Sequence, residues 1–205
     1  PSPDIKINWN PLSTTWETIG YARKVHSVFL SILAISWFWF LGMAYLTQLP
    51  NFTSEVLKGS PDVYTLLLTV FSAGIGLGSL LCEKMSGRKV ELGLVPLGSI
   101  GISLFGFDLF FAYVSPTVDH LMGIGEFLMT SGSIRVLADL GLIGIFGGFY
   151  IVPLFAFIQL RTKAAYRARV IAANNILNAL LMVISAVSGV VFLGIMELSI
   201  PEFFL

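Results

Sequence analysis

Five long apolar runs, separated by short polar connections, dominate the chain. The first run, VHSVFLSILAISWFWFLGMAYLTQ, holds no Asp, Glu, Lys or Arg over residues 25–48. At a helical rise of about 1.5 Å per residue, a run of this length crosses the hydrocarbon core of a bilayer. We therefore predict an all-α integral membrane protein with five full spans, at about residues 25–48, 63–82, 92–114, 137–160 and 170–195.

The two ends of the chain differ from this bundle of residues 25–195. Residues 1–24 are polar and are predicted to be a cytoplasmic lead-in. Residues 196–205 are predicted to form an external loop and the start of a truncated sixth span, because Pro201 is followed by Phe203 and Phe204. We expect the natural protein to be longer at both ends.

Composition supports a membrane protein and excludes an intrachain disulfide. The chain is 56% hydrophobic and only 12% charged, whereas charged residues make up about 25% of a typical soluble domain. Cys82 is the only cysteine, so it has no partner within the chain.

Basic residues are concentrated on one side of the predicted spans. Ten of the twelve lie in the lead-in and in alternate connections: Lys6, Arg23, Lys24, Lys84, Arg88, Lys89, Arg161, Lys163, Arg167 and Arg169. The other side has only Lys58 and Arg135. The positive-inside rule then predicts a cytoplasmic N-terminus.

Two external connections follow from this topology. Residues 49–62 are predicted to be a short loop in which Ser60 caps the next helix, Pro61 occupies its first position and Asp62 its first turn. Residues 115–136 are longer and contain Leu121, Ile124, Phe127 and Leu128. Their pattern predicts a short helix lying at the membrane interface.

Glycines punctuate the spans and support two interpretations. Gly74 and Gly78 form a GxxxG motif in the second span, and Gly144 and Gly148 form another in the fourth. Such motifs are typical of close helix packing. Alternatively, glycines 147 and 148 with Pro153 interrupt the fourth span, as in helices that line transport paths.

The second basic connection carries a recognisable motif. It runs from Gly78 to Lys89 as GSLLCEKMSGRK. We expect a helix to end in the glycine-containing stretch, followed by an acid–base pair and a tight turn that needs a glycine. One hypothesis is that the basic residues of this connection only anchor it on the cytoplasmic side of the membrane and have no other role. The segment also resembles the loop motif Gly-x-x-x-Asp-Arg-x-Gly-Arg-Lys of major facilitator transporters, although it has one extra residue before the acid and Glu in place of Asp. The residues that this resemblance marks are Gly78, Glu83, Lys84, Gly87, Arg88 and Lys89.

A second resemblance covers nearly all of residues 10–205. The segments are ISWFWFLGMAYLTQLPN (35–51), LLLTVFSAGIGLGSLLCEKMSGRKVELGLVPLGSIG (66–101) and RARVIAANNILNALLMV (167–183). They resemble the C-terminal half of the bacterial lysophospholipid transporters within the major facilitator superfamily, closest to versions fused to acyltransferase and acyl-carrier-protein synthetase domains. The resemblance implies spans seven to eleven of a twelve-helix transporter, with the N-terminal half of the same transporter as partner. It further implies inward flipping of lysophosphatidylethanolamine or similar lipids across the bacterial inner membrane, followed by reacylation.

Polar and amphipathic residues inside the spans are the candidates for a transport path, because each is costly in lipid unless it is paired or hydrated. The candidates are Trp37, Trp39, Tyr45, Gln48, Asp108, Asn174 and Asn178.

Each candidate also has a structural interpretation. Asp108 could titrate or bind a cation, or it could pair with Arg135. Asn174 and Asn178 share a helical face and could bond either a lipid headgroup or a partner helix. The two tryptophans point to roughly opposite sides, so one is expected to face a cavity and the other lipid. Asp139, four residues after Arg135, is expected to form a surface pair with it.

The sequence offers no sign of catalysis. It has no Gly-rich phosphate loop, no CxxC, HExxH or His-x-x-x-x-Asp pattern, and its two histidines, His26 and His120, lack the spacing of metal ligands. We therefore predict no catalytic residue, metal, cofactor or nucleic-acid partner, and only membrane lipids and a lipid cargo as ligands. Two alternatives to lysophospholipid transport remain: a facilitator of a small soluble solute, proton-coupled through Asp108, and a membrane anchor module for a fused lipid acyltransferase.

The topology can be tested by cysteine labelling in a Cys82→Ser background. Ser115→Cys should react with a membrane-impermeant thiol reagent in intact cells, and Ser86→Cys should react only after the membrane is permeabilised, because positive charge retains the second connection in the cytoplasm. The opposite pattern would reverse the predicted orientation.

Overall fold

A computed structural model describes residues 11–87, 89–112 and 118–204 of the chain. Arg88 and the segment 113–117, which includes Ser115 and the last residues of the predicted third span, lie outside the described residues, as do Lys6 and Leu205. Eight α-helices are described: α1 Pro11–Arg23, α2 His26–Asn51, α3 Pro61–Met85, α4 Leu94–Ala112, α5 Ile124–Met129, α6 Ser133–Arg161, α7 Arg167–Gly189 and α8 Ile200–Phe203.

Five of these helical segments are long and apolar enough to cross a membrane. They are His26–Val56, Pro61–Met85, Leu94–Ala112, Ser133–Arg161 and Ala164–Ile195. Their number and helical class confirm the prediction of an all-α bundle with five spans, and their length and composition indicate a membrane-embedded multi-pass protein.

The first span is longer than predicted, so residues 49–62 are not mainly a loop. Helix α2 continues through Pro50 into a π-helical turn at Phe52–Val56. Hydroxyl groups support this extension, because Thr53 Oγ1 donates to the Leu49 carbonyl at 2.7 Å and Ser54 Oγ to the Pro50 carbonyl at 3.1 Å. These bonds add to the backbone hydrogen bonds of the extension, whereas the carbonyl that Pro50 leaves without an N–H partner is that of Leu46.

Pro153 does not interrupt the fourth span. Helix α6 runs without a break from Ser133 to Arg161, and Pro153 is buried within it. The interpretation of a broken helix at this proline is therefore wrong. Proline occurs inside spanning helices when neighbouring helices surround it, and α6 packs against α2, α3 and α4.

Close backbone contact between α3 and α6 confirms the packing role of both GxxxG motifs. A Cβ atom at Gly74 or Gly78 would meet the backbone of α6, at Gly141 and Ile145 respectively. A Cβ at Gly148 would lie 2.6 Å from the Ser79 nitrogen of α3. The two motifs thus face each other, and only glycine fits at their crossing.

The remaining spans pack around α6 in two groups. Helices α3 and α4 pack on α6, whereas α7 packs mainly on α2 and α1. Two main apolar clusters fill the interior. One includes Val28, Ile32 and Ile158 near the starts of α2 and α7, and the other includes Leu67 and Leu140 near the end of α2.

The bundle has two chemically different ends. The connections 24–25, 86–93 and 162–166 lie at one end, which we call the basic end because most lysines and arginines flank it. The connections 57–60, 118–132 and 196–199 lie at the opposite end. There, the Ser60 backbone N–H donates a hydrogen bond to the Met122 carbonyl at 2.9 Å.

The same helix ending occurs twice at the opposite end. Helix α2 ends in a π-helical turn followed by Lys58 with a φ of 53°, and α7 ends in the π-helical turn Val190–Ile195 followed by Glu197 with a φ of 55°. In both, the residue after the left-handed one donates its backbone N–H to the carbonyl six residues earlier. Gly59 donates to Thr53, and Leu198 donates to Phe192. A left-handed residue after a helix satisfies free carbonyls in this way.

Predicted local features of this end are confirmed in part. Helix α3 starts at Pro61 with Asp62 in its first turn, as expected, but the Ser60 side chain forms no capping hydrogen bond. The predicted short helix is α5; its Phe127 is buried in the bundle. The other three apolar residues of that pattern, Leu121, Ile124 and Leu128, are exposed.

Stability should depend on the α3–α6 crossing. Gly78→Ala should lower the free energy of unfolding by about 1–3 kcal/mol, because the added methyl group overlaps the α6 backbone. Gly76→Ala, on an open face of the same helix, should be neutral or stabilising by up to about 1 kcal/mol. Unfolding of the purified protein in detergent measures both, and equal stabilities would contradict the packing role.

Candidate functional site

Polar side chains join α2 to α7 in the middle of the bundle. The Ser36 hydroxyl donates to Asn178 Oδ1 at 2.8 Å, and both residues are buried. Two turns further along α7, the Ser185 hydroxyl donates to the Phe40 carbonyl at 2.7 Å. Asn178 therefore forms an interhelical bond, which was one of its two predicted roles.

Asn174 lies one turn before Asn178 and is only 4% exposed. Its amide nitrogen is 3.5 Å from Asn175 Oδ1, and its own Oδ1 is buried without a hydrogen-bond partner among the described residues. The indole nitrogen of Trp39 on α2 is also buried without a hydrogen-bond partner among the described residues. Unpaired polar atoms at such depth cost free energy, so α2 and α7 each carry one unsatisfied polar atom beside the bonded pair Ser36–Asn178.

The two tryptophans of α2 occupy different environments: one lines a cavity, as expected, whereas the other is partly buried against an apolar cluster and does not match the expectation that it faces lipid. Trp37 is 52% exposed and stacks on Phe40 with ring centroids 5.0 Å apart. Trp39 is partly buried, with its ring almost perpendicular to that of Phe38. Trp37 lines a cavity, and Trp39 packs against the apolar cluster near the basic end.

An aromatic cavity lies between α2, α7 and α8 at the opposite end of the bundle. Its volume is about 310 Å³. Its aromatic lining consists of Trp37, Phe40, Tyr45, Phe192, Phe203 and Phe204. We call it the aromatic cavity.

Two polar residues, Ser188 and Glu202, also line the aromatic cavity. Glu202 Oε2 accepts from the Ser199 hydroxyl at 2.6 Å and from the Ser199 backbone N–H at 2.8 Å, which caps α8. These bonds hold the pKa of the Glu202 carboxyl below its ordinary value. The cavity thus combines a broad aromatic wall with one carboxylate.

Tyr45 and Gln48 differ in their relation to this cavity. The Tyr45 ring stacks on Phe204 at 4.5 Å, and its hydroxyl donates to the Phe204 carbonyl at 3.4 Å. Gln48 does not line the aromatic cavity; its Oε1 accepts from Asn51 Nδ2 at 3.1 Å on an exposed part of α2.

Asp108, Arg135 and Asp139 form a second polar group between α4 and α6. Arg135 makes a bidentate pair with Asp108, in which its Nε lies 3.0 Å from Oδ2 and its Nη2 contacts Oδ1. The pairing of Asp108 with Arg135 is therefore present, and no described residue of the aromatic cavity belongs to this group.

The expected surface pair between Arg135 and Asp139 is wrong. Asp139 is 3% exposed, and its Oδ2 is buried without a hydrogen-bond partner among the described residues. Its carboxyl lies near that of Asp108. The reason is helix orientation: Arg135 reaches across to α4, whereas Asp139 points into the interior.

The basic connection departs from its predicted layout. Helix α3 continues to Met85, so Glu83 and Lys84 lie in its last turn rather than in a loop, and Gly78 belongs to the α3–α6 crossing. Gly87 has a φ of 57°, which confirms the glycine turn. Lys89 is exposed, and Arg88 lies outside the described residues.

Potential metal ligands do not converge in residues 11–87, 89–112 and 118–204, where no three His, Cys, Asp or Glu side chains could hold one ion. His120 bonds the Glu126 carboxylate at 3.0 Å on an exposed surface, and His26 is exposed at the start of α2.

Several residues of these sites escaped sequence analysis. Ser36 and Ser185 are serines inside apolar runs, and that isolated polarity was the available signal. Glu202 joins the aromatic cavity only through the fold of α8.

Comparisons with known proteins give no relative: no protein-family model, curated protein or solved structure matches the chain.

The Ser36–Asn178 bond should couple α2 to α7 energetically. Ser36→Ala and Asn178→Leu should show a coupling energy of about 0.6–1.7 kcal/mol in a double-mutant cycle, the range for hydrogen bonds between spanning helices. Ser31 is the control, because its hydroxyl bonds the Ser27 carbonyl of its own helix. Both coupling energies are measured by denaturant titration in micelles. If Asn178→Leu coupled to Ser31→Ala as strongly as to Ser36→Ala, the Ser36–Asn178 bond would be contradicted.

Proposed function

We propose that this chain forms most of one half of a major facilitator-type transporter that moves lysophospholipid across the bacterial inner membrane by alternating access. The proposal rests on the resemblance of residues 35–51, 66–101 and 167–183 and is supported by the physical character of the spans. The N-terminal half of the same transporter would be its partner, and a fused or associated acyltransferase would consume the cargo.

The aromatic cavity is the observation that carries this proposal. A lysophospholipid has one acyl chain and a polar headgroup, so its site needs an apolar wall beside a few polar groups. The aromatic lining around Trp37 and Phe192 offers the wall, and Ser188 and Glu202 offer the polar groups. An ammonium-bearing headgroup would gain from both the carboxylate and the aromatic faces.

The α2–α7 interface extends this path toward the basic end, which in this proposal faces the cytoplasm. The unpaired Asn174 Oδ1 and Trp39 Nε1 are the polar atoms that a headgroup or its water could satisfy. Asn178 is occupied by Ser36, so its part in transport would require that bond to open. Gln48 and Tyr45 would belong to the entry region.

A proton-coupled facilitator of a small soluble solute is the second candidate. Its supporting observation is the buried Asp139 carboxyl beside the Asp108–Arg135 pair. Ionisable groups inside spanning helices frequently serve proton relays. Few other charged residues lie within the described spans, and this scarcity favours the lipid cargo over a soluble solute.

Lipid flipping by the full-length protein in phosphatidylcholine vesicles tests the proposal. Fluorescent lysophosphatidylethanolamine is placed in one leaflet, and its transfer is followed by quenching. Trp37→Ala should slow transfer by about three- to tenfold, because it removes an aromatic wall contact. Phe107→Ala is the control, since Phe107 is similarly exposed on α4 outside the cavity.

The outcomes separate the three hypotheses. Equal rates for the two variants would remove the aromatic cavity from the route. Absence of transfer by folded wild-type protein would leave the anchor function. Transport of a soluble solute that needs a pH gradient, and is lost in Asp139→Asn, would establish the second candidate instead.

A further inference from the structure

A second cavity lies at the basic end, and it shares no lining residue with the aromatic cavity. It has a volume of about 240 Å³ and is enclosed by the end of α1, the start of α2 and the connection between α6 and α7. We call it the basic-end cavity. The proposed transport function assigns it no role.

Positive charge lines this cavity without a carboxylate. Lys24, Arg161 and Lys163 are in its wall, and no Asp or Glu is. Within the described part of the chain, none of the three forms an ion pair. Lys24 Nζ instead lies 4.3 Å from the centre of the Tyr21 ring, and the Arg161 guanidinium lies 5.5 Å from that of Phe157. Aromatic rings thus position two of the cations without neutralising them.

Thr162 adds an unsatisfied donor to the same wall. The residue is 7% exposed, lies between Arg161 and Lys163, and lines the cavity. Its Oγ1 is buried without a hydrogen-bond partner among the described residues. A buried hydroxyl without a partner costs free energy, and an anionic oxygen that reached Thr162 would remove that cost by accepting a hydrogen bond from it.

Aromatic residues form another part of the cavity wall, which is partly open. The Tyr21 and Tyr166 rings stack with centroids 5.6 Å apart, and a second cation, Arg169, lies 4.3 Å from the Tyr21 ring. Val25 and Tyr166 are each nearly half exposed at the cavity. The site therefore offers both donors and an apolar surface.

We propose that the basic-end cavity binds the phosphate of an anionic phospholipid from the adjacent leaflet. Three cationic side chains and a hydroxyl donor match a phosphate diester, and the cavity is far larger than the space one water needs. The cavity lies where spanning helices begin and end, and basic pockets at such helix ends bind anionic headgroups. Val25 and Tyr166 would contact the glycerol and the first acyl carbons. A free phosphate ion shares the chemistry but would gain nothing from these apolar residues.

Native mass spectrometry of the purified full-length protein tests the site, with phosphatidylglycerol and phosphatidylcholine titrated separately. Phosphatidylglycerol should bind more tightly. Arg161→Gln should weaken it by about fivefold, from the loss of one cation near the headgroup. Thr162→Val should weaken it by about tenfold, from the loss of a hydrogen bond to a charged oxygen. Thr162→Ser should restore binding.

The control is Arg167→Gln, which removes the same charge five residues from Thr162 but outside the cavity. It should leave phosphatidylglycerol affinity within about twofold of wild type, since this charge does not line the cavity that would hold the headgroup and is screened by salt. Equal losses in the two arginine variants, with no effect of Thr162→Val, would overturn the site and leave only general surface attraction. Displacement of the lipid by inorganic phosphate at similar concentration would overturn the lipid assignment.

The affinity measurement is independent of transport, so loss of lysolipid flipping would not affect it. Thermal unfolding of each variant without added lipid checks that the fold is retained. Should Thr162→Val fail to fold, Lys163→Gln replaces it, because Lys163 is exposed and lines the cavity; unchanged affinity in Lys163→Gln and Arg161→Gln would then reject the proposal.

Discussion

Helix α6 can approach α3 and α4 closely because glycines leave the backbones uncovered where these helices cross. Gly144 and Gly148 of α6 meet the backbone of α3, and Gly98 of α4 would carry a Cβ only 2.6 Å from the Tyr150 nitrogen of α6. In lipid, helices gain little from burying apolar side chains against each other, so such packing is a main source of association. The positions of the other spans, and of the cavities between them, depend on this centre.

The second half of the bundle is held differently. Helices α2 and α7 are joined by serine hydroxyls and an amide, which act over a short range and require a fixed register. The same interface leaves Asn174 and Trp39 with unpaired polar atoms. A glycine-packed group and a polar-bonded group therefore meet along α2 and α6.

The two ends of the bundle present different chemistry to lipid. The opposite end carries an aromatic cavity with a carboxylate, Glu202, that accepts two hydrogen bonds from Ser199. The basic end carries a cavity with three cations and an unsatisfied hydroxyl. An ammonium group suits the first and a phosphate group the second, so the chemistry of the two cavities differs along the bundle axis.

The sequence alone determined the five spans, their helical class, the glycine contacts and the turn at Gly87, because bilayer thickness, hydropathy and glycine geometry act locally. It did not determine helix ends: α2 continues past Pro50 into the π-helical turn Phe52–Val56. Nor did it determine partners across the bundle. Arg135 lies near both Asp108 and Asp139. The orientation of α6 in the bundle directs Arg135 to Asp108 on α4 and turns Asp139 into the interior. The two cavities likewise join residues more than a hundred positions apart, and only tertiary packing brings them together.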